Sequence, residues 1–165
     1  MYTYTHNKIS GSFVKVIEND QENIVLSRNY SDRPEARYNR RGQDALYLSV
    51  DEYSARVAMR KYKREMELPL YLVEYEVEAC LIVDLRQIES RELKKMASQD
   101  WKSELTKGVE PTSWQVSDML RKNYEVGVID PSRKNPKVWH LALFRWNESG
   151  APKVCRIGDP KPILL

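Results

Sequence analysis

The sequence predicts a single α+β domain with a mixed or antiparallel central sheet and flanking helices. Three observations carry this. Apolar residues recur every second position in several short runs and every third or fourth in others. The resulting order is strand, long basic loop, strand, helix, long strand, helices and paired strands, not a repeated βαβ unit. The length, 165 residues, fits one domain able to bury a core without disulfides or metals. Residues 1–11 are expected to form an N-terminal segment, 12–156 the domain, and 157–165 a tail in which Pro160 and Pro162 forbid a regular helix.

The elements follow in chain order. Phe13, Val14, Val16 and Ile17 make a short apolar run over Ser12 to Ile17, read as the first strand. Ala45 to Val50 reads as the second. From Glu52 to Met66 the period changes: Ala55, Ala58, Met59, Tyr62 and Met66 share one side, while Arg56, Arg60, Lys61, Lys63 and Arg64 fill the other, an amphipathic helix capped at Asp51. Leu70 to Leu85 is the clearest strand, with Val73, Tyr75, Val77, Ala79 and Leu81 on one face and Glu74, Glu76 and Glu78 on the other. Ser90 to Leu105 and Thr112 to Tyr124 read as helices, and Val126 to Ile129 and Trp139 to Phe144 as closing strands.

Composition excludes more than it assigns. The formal charge is only +3, and the segment Arg28 to Arg41, with five arginines against two acids, carries that whole excess; an anion-handling surface is expected to start there. Cys80 and Cys155 lie far apart, lack metal-ligand spacing and read as buried reduced thiols. His6 and His140 are the only histidines, so no zinc motif or Ser-His-Asp set is proposed, and His140 reads as a packed strand residue. The six glycines form neither GxGxxG nor GxxxxGK[ST], so a dinucleotide would not be held in the Rossmann manner. Neither a signal-peptide core nor a stretch of roughly 20 apolar residues occurs, so a cytoplasmic protein without membrane contact is expected.

Two stretches are informative. Arg37-Tyr38-Asn39-Arg40-Arg41-Gly42-Gln43-Asp44-Ala45-Leu46-Tyr47-Leu48-Ser49 precedes the helix that holds Ala55, and Gly127-Val128-Ile129-Asp130-Pro131-Ser132-Arg133 precedes Trp139 to Phe144. Together they resemble the RES-domain family, whose pattern is an arginine-aromatic-asparagine step, a glycine, a strand with a tyrosine and an alanine-bearing helix, then a proline-serine turn before an apolar strand. The resemblance runs from about Ser12 to Phe144.

The resemblance implies a fold related to ADP-ribosyl transferases and an NAD-consuming toxin of a bacterial toxin–antitoxin pair. NAD would be the substrate, no cofactor would be needed, and an Xre-type antitoxin would be the protein partner. The bond between nicotinamide and ribose would be cleaved, with water, phosphate or a protein side chain as acceptor. Such chemistry wants a carboxylate against the oxocarbenium-like sugar and cations for the pyrophosphate. Arg37 can bind a phosphate with two parallel hydrogen bonds. Tyr47 could stack on nicotinamide or be core. Ser132 is a turn residue or the family serine at substrate. Tyr38 and Asn39 flank Arg37 at the expected NAD site, and Lys15 stands nearest to the family's early arginine.

The family glutamate, counted from Tyr47, falls at Ala58, on the inward stripe of the helix. A count displaced by a residue or two, a natural variant and an engineered replacement all account for this. The runner-up function is a non-catalytic protein using the cleft or the basic loop to bind a nucleotide, nucleic acid or protein. Oligomeric state, a homo-oligomer included, stays open.

Overall fold

The computed structural model describes residues 1–18, 24–59 and 69–164. Its strands are β1 (His6–Glu18), β2 (Leu46–Ser49), β3 (Leu70–Asp84), β4 (Gly127–Pro131), β5 (Trp139–Leu143) and β6 (Val154–Ile163). Its helices are α1 (Glu52–Met59), α2 (Arg91–Ala97), α3 (Trp101–Thr106) and α4 (Thr112–Lys122), with a 3₁₀ turn at Ile88–Ser90.

β3 organises the sheet. β1 runs antiparallel along it from His6↔Val83 to Glu18↔Leu70. The other edge of β3 holds β6, antiparallel, from Leu70↔Ile163 to Val77↔Val154, and then β4, parallel, at Val83↔Val128. β4, β5 and β2 follow as antiparallel neighbours, and β2 meets β1 at the single pair Val14↔Ser49. The sheet is therefore mixed and almost closed on itself, with β6 as an edge strand.

Alternation along the strands divides the core. Leu46, Leu48, Ile129, Leu141 and Leu143 point to one side, where they pack with Val73, Val77 and the fully buried Trp146. Val128 and Ala142 point to the other, against Leu93 and Ala97 of α2 and Val116 and Leu120 of α4. Gly127 is a steric requirement at this junction: a Cβ there would lie 2.1 Å from the Ala142 carbonyl oxygen.

Several boundaries differ from the sequence reading. The first strand begins at His6, not Ser12, because β3 is long enough to hydrogen-bond the polar residues that precede the apolar run. The expected helix over Ser90 to Leu105 is two short helices, separated where the Asp100 side chain accepts a hydrogen bond from the Ser103 N–H and restarts the chain as α3. The segment 157–163, read as a tail, lies in β6; its prolines exclude a helix but are compatible with an edge strand, which has one side free of ladder bonds. The expected helical residues 60–66 lie outside the described residues. Both cysteines are free thiols, but Cys155 is exposed, within the exposed run Cys155 to Asp159 of the edge strand β6, and Cys80 is only half-buried, between the exposed Ala79 and Leu81. Among the described residues no helix is long and apolar enough to cross a membrane.

Candidate active site

A cavity of about 540 Å³ opens between the β2-β5-β4 face of the sheet, α1, the loop before β2 and the turn after β4. This is within the range of pockets that enclose small molecules and cofactors. Cations from four regions reach it: Lys15 from β1, Arg37 from the loop, Lys102 from α3, and Arg133 and Lys134 from the turn after β4. Glu35 and Asp130 are the acids on its wall. The balance suits an anionic ligand.

Arg37 is placed from below by α2. Its Nη1 donates to the carbonyls of Ala97 and Gln99, each at 2.7 Å, at the end of that helix. Arg133 donates to the same Ala97 carbonyl at 3.0 Å, so one carbonyl brings two guanidiniums together. Arg133 is also forked onto Asp130, Nη1 to Oδ2 at 3.0 Å and Nη2 to Oδ1 at 2.9 Å. Burial opposes its charge, but the Asp130 carboxylate outweighs burial and holds its pKa above the ordinary arginine value.

Tyr47 and Ser132 line the same cavity. The Tyr47 hydroxyl donates to Asn39 Oδ1 at 2.6 Å and accepts from the Tyr38 N–H at 3.0 Å, which fixes the ring, and burial pushes its pKa up. Ser132 accepts at Oγ from the Lys134 and Asn135 backbone N–H groups, both at 3.3 Å. The turn role expected of this hydroxyl and its place at the cavity are thus compatible. Ala58 faces the cavity from α1 between Val57 and Met59, and none of these carries an acid.

Lys15 reaches across the opening between β1 and β2 and donates from Nζ to the Tyr47 carbonyl at 3.2 Å. Burial, and then the charge of Arg33, lower its pKa to about 8.

Of the residues expected at a ligand, one turns elsewhere and one has its hydroxyl engaged within the protein. Asn39 is buried outside the cavity wall: its Nδ2 donates to the carbonyls of Pro34 and Arg40, and its Oδ1 holds Tyr47. The sequence reading missed that an asparagine's short amide folds back onto its own turn as readily as it meets a ligand. Tyr38 borders the cavity, but its hydroxyl is spent on Asp130 Oδ1 at 2.6 Å.

The basic loop is likewise not an open anion surface. Arg28 pairs with Glu148 at 2.6 Å and Arg41 with Glu35 at 3.3 Å. Arg33 holds the carbonyls of Ser27 and Ala45. Arg40 is forked onto Asp118 at 2.6 and 2.8 Å, reaches Glu110 at 2.8 Å, and lies over the Trp114 ring. Of the five arginines, Arg37 is the one on the cavity wall.

His140, set aside in the sequence reading, is on that wall too, 3.1 Å from Ser49 Oγ through Nδ1. So are Asp130 and Arg133. All four lie in or beside the matched stretches, but the meeting of Ser49 with His140 depends on strand register, which no spacing along the chain gives. Among the described residues, no cluster of three or more His, Cys, Asp or Glu side chains is placed to hold a metal ion.

The family model described as the RES domain matches residues 19–164. The chain has no match among the curated proteins. Among solved structures it resembles a chain of the M.tuberculosis MbcT-MbcA toxin-antitoxin complex, with a TM-score of 0.66 and 14% identity over 96% of this chain and 86% of that one.

Proposed function

Because the chain belongs to the RES-domain family, we propose that it is a toxin of a toxin–antitoxin pair whose cavity binds NAD, and that its chemistry is cleavage of the nicotinamide–ribose bond. The observation that supports this best is the convergence of Arg37, Tyr47, Ser132 and the Ala58 position, distant in sequence, on one cation-rich cavity. Arg37 and Arg133, held side by side by the Ala97 carbonyl, suit a pyrophosphate. Tyr47, with its hydroxyl already engaged, offers a fixed ring. The protein partner would be an antitoxin, in keeping with the complex that the resembling structure comes from, and of the Xre type that the family resemblance implies.

Calorimetry tests the binding. NAD should bind more tightly than AMP, and Arg37→Ala should weaken NAD on the order of tenfold or more, as loss of a charge-assisted contact worth roughly 1.5–3 kcal/mol implies. Equal affinity for NAD and AMP, unchanged by Arg37→Ala, would remove this site.

The second reading, a non-catalytic binding protein, is favoured by one observation: α1 brings no carboxylate to the cavity where the family glutamate is expected. Such a protein would use the same cavity, since the loop's other arginines are committed to protein partners.

A further inference from the structure

Three neighbouring strands place a row of side chains on the cavity face. Ser49 on β2 stands opposite His140 on β5, and His140 stands opposite Asp130 on β4. Directly opposed residues put their side chains on one face of a sheet, and all three line the cavity.

The members of the row differ in what they are free to do. The Asp130 carboxylate is engaged by the Tyr38 hydroxyl and both Arg133 Nη groups. Glu35 is paired with Arg41. Lys15 is committed through Nζ to the Tyr47 carbonyl. His140 is bonded through Nδ1 to Ser49 Oγ, and its ring makes no other hydrogen bond among the described residues. Burial lowers the imidazole pKa, Asp130 raises it, Arg133 lowers it and Asp51, ahead of α1, raises it; the balance is downward. The shift favours the neutral ring.

We propose that His140 takes the proton from the nucleophile that attacks the ribose, with Ser49 as the positioning residue that fixes the ring. This rests on the NAD reading of the cavity. The hydroxyl of the acceptor gives its proton to His140 Nε2 as its oxygen bonds to ribose C1. The C1–N bond breaks, and its electron pair leaves on nicotinamide, which departs neutral because its ring nitrogen was cationic in NAD. The proton is then lost from the imidazolium to solvent. Ser49 accepts from Nδ1–H, which leaves the lone pair on Nε2, the tautomer that the step needs.

The test follows nicotinamide release against pH, with calorimetric NAD binding beside it, in the chain as it stands and in Ala58→Glu. Release should fall as pH drops through the His140 pKa, below the ordinary histidine value of about 6.5. His140→Gln should reduce the maximal rate at least about 100-fold and abolish that acidic limb, with NAD affinity changed less than threefold. Ser49→Ala should move the limb and slow release less. Nitrogen NMR of His140 in a His6→Asn background reads the tautomer without altering the cavity, and does not depend on whether His140→Gln folds.

An unchanged acidic limb and rate in His140→Gln, while NAD is bound and consumed, overturns the role of His140 and leaves the NAD reading standing. So does an imidazole whose proton sits on Nε2. No nicotinamide release from either background overturns both.

Discussion

Ala58 faces the cavity from one side of a helix whose neighbours Ala55 and Val57 are buried. Losing one preorganised electrostatic group from a site typically costs on the order of 3 kcal/mol, roughly a hundred- to a thousand-fold in rate. The chain as it stands should therefore release nicotinamide slowly, and Ala58→Glu should raise release at least about tenfold without disturbing α1, glutamate being a good helix former. A nicotinamide assay on both proteins checks this; equal rates would separate position 58 from the chemistry. Asp84 shows what a carboxylate does when the fold satisfies it. It is fully buried and accepts from the backbone N–H, Nε and Nη2 of Arg86 and from Gln87 and Asn7. Burial alone would raise its pKa, but the Arg86 and Gln87 hydrogen bonds and the Arg86 charge hold it at about 2. The folded value lies below the unfolded one, so this stabilisation is complete above the unfolded pKa near 4 and is lost as pH falls toward about 2. Urea midpoints should lose on the order of 2 kcal/mol of stability across that window, and Asp84→Asn should flatten this part of the profile. At this scale the sequence showed residues whose neighbours along the chain form a pattern: Arg37, Tyr47 and Ser132. It did not show Ser49 or His140, because their pairing depends on which strand lies beside which.

Among elements, β4 is tightly constrained at Gly127. A Cβ on Gly127 would sit 2.1 Å from the Ala142 carbonyl oxygen and 2.9 Å from the Leu143 Cα, both in the backbone of β5. Backbone cannot rotate away as a side chain can, so Gly127→Ala should push β4 and β5 apart. It should cost at least about 2 kcal/mol, as overpacking of a filled core does, and should shift His140 relative to Asp130. Thermal unfolding gives the first effect, and loss of NAD affinity would accompany it. The α3 cap is a milder case: Asp100→Ala removes the hydrogen bond to the Ser103 N–H and should cost about 1 kcal/mol. Period two made Leu70–Asp84 readable, since Val73, Tyr75 and Val77 are buried while Glu74, Glu76 and Glu78 are exposed; Leu46–Ser49 and Trp139–Leu143 were readable as short apolar runs. β6 was hidden for the opposite reason. Cys155 to Asp159 are all exposed, so nothing in that segment's apolar pattern marks a strand; its pairing with β3 does.

For the whole molecule, the formal charge of +3 overstates the surface available to a polyanion. The loop that supplies the excess is tied inward by Arg33, and by Arg28, Arg40 and Arg41 in ion pairs. NAD affinity should therefore depend only weakly on salt, and a single-stranded oligonucleotide should bind weakly or not at all. Titrations of both at 50 and 200 mM salt check this, since a binder making 6–10 phosphate contacts would lose about 10³–10⁵ in affinity over that range. The almost closed sheet has a further consequence for how the protein is made. β3 must hold β1, from the start of the chain, on one edge, and β4 and β6, from much later, on the other. Loops that long close slowly. On the ribosome β1 can dock once β3 has emerged, but the wall that carries Ser49, His140 and Asp130 needs β5, and β3 keeps an open edge until β6 appears. A nascent chain stopped before Trp139 would thus hold Arg37 and Tyr47 but no assembled row, so the cavity could do its work only after most of the polypeptide had been translated.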